Sequence, residues 1–189
     1  MNIKKLFATL AGVSLFAQSV IVAPAAFAAN YGEELEGAYK WAYENGITTM
    51  PTIDDANMLA PITRAEMAKM LANWAMNVKG KTPNTSATCT FTDTASVKGD
   101  LATAIVEACQ LGLMGQGITA FRPYDTISRA EFGTALSRAL WGDKYEGGTP
   151  YYANHLNALK AAGIMNQIAN AESTKEVRGY VMLMLMRAE

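Results

Sequence analysis

Apolar positions recur along this chain with a helical period. Met67, Met70, Leu71, Trp74 and Val78 form one i, i+3, i+4, i+7 stripe, and Phe132, Ala135, Leu136, Ala139 and Leu140 form another. Such spacing places apolar residues on one face of an amphipathic helix. Val181 to Met186 is apolar on all sides, which predicts a third helix more deeply buried than the first two. A shorter helix precedes each: Leu35 to Asn45, Leu101 to Leu111 and Leu156 to Ala162, stopped by Gly46, Gly112 and Gly163. Glycine ends helices because it enters the left-handed region without a Cβ penalty. Ala38 matches Ala104, while Ala42 matches Ala108 and Leu159, so small residues on one face predict close helix contacts. The methionines in the stripes read as gap-filling core residues, not metal ligands.

The pattern is therefore helix, loop, helix, three times, over about residues 31–79, 89–142 and 150–188. The fold class is all-α. Lys79 to Thr90 and Gly142 to Pro150 are polar, glycine- or proline-bearing connections that read as surface loops. Neither separates independent domains, and no unit alone has enough core, so residues 29–189 are expected to fold as one domain. Half the residues are apolar and 17% charged, which excludes a disordered chain.

A four-residue motif opens the longer helices. Thr63-Arg64-Ala65-Glu66 returns 65 residues later as Ser128-Arg129-Ala130-Glu131. Ser or Thr followed three residues later by Glu is a capping box, in which each side chain satisfies an orphan backbone donor. This explains Thr63, Glu66, Ser128 and Glu131, but not the arginine, which sits at the positive end of the helix dipole. Two explanations are open. A guanidinium beside free N–H groups can hold a carboxylate or phosphate ligand, or it can pair with an acidic residue of the neighbouring unit. An arginine locked onto an internal carboxylate would need no anionic ligand. In the third unit, aligning Arg187-Ala188 with Arg138-Ala139 sets Arg178 opposite Arg129 and Tyr180 opposite Glu131. A capping box at Ser173 and Glu176 is the alternative register; the first leads directly into the apolar run and is preferred.

Residues 1–28 read as a secretory signal: Lys4 and Lys5, an apolar run from Leu6 to about Ala23, then the small-x-small site Ala26-Phe27-Ala28. Retention of this segment as a membrane anchor is the alternative; with cleavage, the exported form has no membrane segment. Removing Lys4 and Lys5 leaves 14 basic against 17 acidic residues, a formal charge of about −3, which argues against a nucleic-acid partner. Cys89 and Cys109 are the two cysteines. Their even count and an oxidising destination favour a disulfide over a buried thiol and a loop thiol. An enzyme is disfavoured by inventory. His155 is the only histidine, without a Ser or Cys partner nearby in sequence, and no metal-binding spacing or nucleophile elbow occurs. No cofactor is expected.

Together these residues resemble the S-layer homology domain. Phe91-Thr92-Asp93, the glycine turn Gln110 to Gly115, Phe121-Arg122-Pro123 and Ile127 to Phe132 resemble its elements most fully, in unit two. Unit one keeps Trp41-Ala42, Gly46-Ile47, Pro61 and Ile62 to Glu66, while unit three lacks F-x-P and the signature Glu. The resemblance implies a pseudo-threefold helical bundle that binds cell-wall carbohydrate non-covalently, an acidic secondary polymer or peptidoglycan, in grooves between repeats. It implies that Arg64 and Arg129 face an anionic glycan on that surface, with Arg178 in the altered third unit at the matching place, beside the turns at Gly46, Gly112 and Gly163. Trp41 is a candidate sugar platform or a core anchor, and Asp93 a sugar contact or a turn cap. A structural envelope protein that assembles with its own kind is the competing reading.

Overall fold

The computed structural model describes residues 31–189, so the predicted signal at residues 1–28 lies outside the described residues. Six α-helices occur among the described residues: α1 Glu33–Glu44, α2 Arg64–Asn77, α3 Asp100–Gln110, α4 Arg129–Trp141, α5 Ala153–Ala161 and α6 Arg178–Arg187. No strand is present there, and no helix among them is long and apolar enough to cross a membrane. The fold is all-α.

The short helices end as their glycines predict. Gly46, Gly112 and Gly163 adopt φ of 67°, 71° and 72°. The following amides fold back, Ile47 N donating to Ala42 O, Leu113 N to Ala108 O and Ile164 N to Leu159 O. This is the six-to-one bond of a Schellman ending, which satisfies carbonyls that the helix leaves free. The matched residues Ala42, Ala108 and Leu159 are all fully buried.

Packing runs in a cycle. α2 lies against α3, α4 against α5, and α6 returns to α1, around a single connected core that includes Leu71, Trp74, Phe121, Phe132, Leu136 and Leu185. The extended residues before α2, α4 and α6 close a second cycle through the backbone: Ile62 N donates to Glu176 O, Ile127 N to Ile62 O and Glu176 N to Ile127 O. α6 begins at Arg178, in the preferred register, with Val177 as its N-cap and no side-chain cap. Its apolar run does not make it the most buried helix. Six of its ten residues are buried, a larger share than the eight of 14 in α2 and just under the eight of 13 in α4. Met182 and Met184 belong to the core and also form the floor of two clefts.

Cys89 and Cys109 form a disulfide. It fixes the segment leading to Asp93 onto the end of α3, next to the turn that follows Gly112.

Candidate functional site

The capping boxes and the arginines belong to one device. Thr63 and Ser128 accept from the amides of Glu66 and Glu131, and Oε2 of each glutamate accepts from the amide of its own cap residue. The other oxygen of each glutamate receives an arginine from a different unit: Arg178 reaches Glu66 Oε1, and Arg64 Nη1 lies 3.4 Å from Glu131 Oε1. Arg129 would find Tyr180 at the matching position, and pairs instead with Glu176, Nε to Oε2 at 2.9 Å and Nη2 to Oε1 at 3.2 Å. Glu176 is fully buried and occupies the place held by the buried Ile62 and Ile127 in the other units. The third unit has thus moved its carboxylate from the helix to the segment before it. Tyr180 then lies beneath the Arg129 guanidinium, 6.0 Å away, much as Phe121 lies 5.3 Å from that of Arg64.

Electrostatics follow this pairing. Burial lowers the pKa of Arg64 and Glu131 partly restores it, whereas hydrogen bonding to Glu176 raises that of Arg129 over the effect of burial. Burial pushes the Glu66 carboxyl up, and the bonds from Thr63 and Arg178 together bring it below the ordinary carboxylate range. The amides expected to await an anion are also occupied. Arg64 N donates to Asp125 O, Arg129 N to Thr174 O and Arg178 N to Ala60 O, while Ala65, Ala130 and Gly179 donate to Pro123, Ala171 and Met58. Of the two local explanations for the arginine, pairing across units is the one the geometry contains. The helix starts offer no free N–H cradle at these positions.

Trp41 is half-buried against the core and its indole donates to Glu189 Oε2 at 2.9 Å. Asp93 accepts from the amides of Phe121 and Arg122 at 2.8 and 2.7 Å, so it caps the turn. Burial works to raise its pKa, and these two amides outweigh that effect and lower it. Of the three glycines, Gly112 lines a cleft, and all three terminate helices.

Three clefts lie where one unit meets another, each containing one of the arginines. The Arg64 cleft, about 600 Å³, is bounded by α2, by α4 through Glu131, Thr134 and Arg138, and by Gln116 and Tyr151. The Arg129 cleft, about 370 Å³, includes Gln167, Tyr180, Arg187 and Glu34. The Arg178 cleft, about 180 Å³, includes Glu66, Lys69 and Thr48. Small-ligand sites usually fall between about 300 and 1,000 Å³, so the first two are large enough and the third is not. Thr134, Tyr151, Gln116 and Tyr180 are cleft residues that sequence reasoning missed. Tyr151 and Tyr180 are exposed, which their sequence neighbours do not reveal, since Tyr180 leads straight into an apolar run.

His155 is fully buried on α5. Its Nδ1 lies 2.9 Å from Ser137 Oγ on α4, and its Nε2 is 3.5 Å from Glu146 Oε1. A serine partner therefore exists that sequence distance concealed, but Ser137 is 0% exposed and lines none of the three clefts, which leaves a substrate no approach. Among the described residues no cluster of His, Cys, Asp or Glu has the grouping of a metal site. No protein-family model matches the chain, and no curated protein matches it.

Proposed function

We propose that this chain is exported and binds cell-wall carbohydrate non-covalently, holding itself at the cell envelope, and that it is built from three S-layer homology repeats about a pseudo-threefold axis. The cyclic packing and the closed ring of backbone bonds support the threefold reading. The observation that carries the functional reading is the repeated cleft: each pairs the signature arginine of one unit with the stretch after the helix-ending glycine of another. Two of the three have the volume of a small saccharide site and an exposed tyrosine, Tyr151 or Tyr180. Aromatic rings of this kind present a large apolar face with a polar tip.

The arginines act here mainly as cleft architecture. Their charge is already met by carboxylates, so wall attachment should rest on stacking and hydrogen bonds more than on net attraction, and should resist salt that would screen exposed charges. Sedimentation with purified wall sacculi tests this. The protein should enter the pellet, retain at least about half its binding between 0.05 and 0.5 M salt, and lose binding when Tyr151 and Tyr180 are both changed to alanine. Absence from the pellet would refute wall binding, and ordered arrays formed by the protein alone would then favour a self-assembling envelope component.

A further inference from the structure

The Arg64 cleft differs from the others on its α4 wall. Three residues beyond Glu66 stands Lys69, three beyond Tyr180 stands Leu183, and three beyond Glu131 stands Thr134. Lys69 reaches Asp100 and Thr49, and Leu183 requires no polar partner. Thr134 is 3% exposed and its Oγ1 has no hydrogen-bond partner among the described residues. A buried hydroxyl left in this state carries a desolvation penalty that an apolar side chain of the same shape would avoid. Its neighbours one turn away, Glu131, Ser137 and Arg138, all have partners of their own, in Arg64, His155 and Glu146, so none of them takes up this hydroxyl.

Charge narrows what could meet it. The ionisable residues lining this cleft are Arg64 and Arg138 against Glu131, Asp143 and Glu146, a balance of −1. Both cations are already engaged, Arg64 with Glu131 and Arg138 with Glu146. Tyr151 registers the excess: its hydroxyl pKa is raised by burial first and then by the negative charges of Glu131 and Glu172. An anionic group entering here would meet like charge, and the further cation that reaches Glu131, Arg122, is already shared between Asp125 and Glu131. The ring of Tyr151 is half-exposed in the same cleft, and Gln116 is fixed there by its bond to Cys109 O at 2.7 Å.

We infer that the Arg64 cleft selects an uncharged saccharide unit, whose hydroxyl or acetamido group hydrogen-bonds Thr134 Oγ1 while a pyranose face lies on Tyr151. The inference rests on the carbohydrate reading above and narrows it to a neutral sugar at this one cleft.

The test is calorimetric titration of the full chain with a neutral N-acetylglucosamine tetramer and, separately, with a galacturonate tetramer of equal length. The neutral probe should bind at least about fivefold more tightly. Thr134→Val should weaken that binding roughly five- to twentyfold, the effect of one lost hydrogen bond, while leaving the thermal midpoint unchanged or higher because the hydroxyl has no partner in the free protein. A residue needed only for structure would lower stability and binding together. Tyr151→Ala, at an exposed position, provides a second variant that should lose binding, and Tyr151→Phe should keep most of it. Tighter binding of the acidic probe, or unchanged affinity in Thr134→Val, overturns the inference. Binding of neither probe also overturns it, and retention on sacculi in that case leaves the broader wall-binding reading intact.

Discussion

Glu66 and Glu131 each serve two helices, because one carboxylate oxygen holds the residue's own cap and the other holds a guanidinium from another unit. This resolves why an arginine tolerates the positive end of a helix dipole. The unfavourable dipole term is a few tenths of a kcal/mol or somewhat more, and a charge-assisted bond to a partly buried carboxylate outweighs it. The case most open to measurement is Arg129, whose partner Glu176 is fully buried. Removing one member of a buried pair leaves an uncompensated charge, at a cost of about 3–5 kcal/mol, whereas replacing both by apolar residues is often neutral. Arg129→Ala should therefore destabilise the protein by about 3 kcal/mol or more. Arg129→Met combined with Glu176→Ile, which restores the residue type of Ile62 and Ile127, should return to within about 1 kcal/mol of the parent. Urea unfolding of the parent and these two variants decides it. A mild loss in the single variant would mean the pair is hydrated and weak. The same comparison shows why lost wall binding in Arg129→Ala would not by itself identify a ligand contact.

At the level of elements, the helices were legible and their partners were not. Periodicity, the capping boxes and the helix-ending glycines located all six helices, because those signals are local in the chain. The pairing of α4 with α5 was hidden, because it depends on volumes and polar groups that meet only in space. Gly133 on α4 faces Leu156 and Leu159, and a Cβ there would come within 2.1 Å of Leu156 Cδ2. Where α5 carries leucine, α4 carries nothing, a complementarity no single segment displays. Glu176 was hidden for a similar reason: it stands in an isoleucine's place, and only the fold brings Arg129 to it. The same interface holds His155 between Ser137 on α4 and Glu146 in the loop before α5. Burial lowers the histidine pKa, Glu146 opposes that shift, and Arg138 adds to it. The unfolded chain therefore takes up this proton first as pH falls. The stability that neutral His155 contributes is fully present above about pH 6.5, the ordinary histidine value, and is lost as pH falls from there towards the folded-state value. The slope in that window should reach at most about 1.4 kcal/mol per pH unit. Unfolding free energies between pH 7.5 and 5.5 should show this decline, and His155→Gln should flatten it. A decline of equal size in the variant would assign it to carboxylates instead.

The molecule as a whole is held by closure. α6 packs on α1, Arg178 reaches back to Glu66, Arg187 pairs with Glu34, and Lys79 Nζ donates to the backbone carbonyl of Glu189. The disulfide strengthens only one sector of this ring. Closing a loop of 20 residues contributes about 3 kcal/mol in the chain-entropy account, and that sector still depends on its neighbours. A fragment of residues 31–149 tests how far the dependence goes. At roughly 120 residues it is long enough to fold on size alone, and it keeps α1 to α4 with the disulfide. It loses the helix that covers Leu35, Ala38 and Ala42 of α1, the α5 side chains that fill the space at Gly133, the carboxylate that holds Arg129 and the guanidinium that holds Glu66. Of the three helix-helix interfaces in the ring, only α2 with α3 survives. The backbone ring is also cut, since Ile62 N and Ile127 O both use Glu176. The fragment should show helical signal without a cooperative thermal transition, and its amides should exchange rapidly outside α2 and α3. A sharp two-state melt would instead mean that two units suffice, and that the third is an addition to a fold already complete.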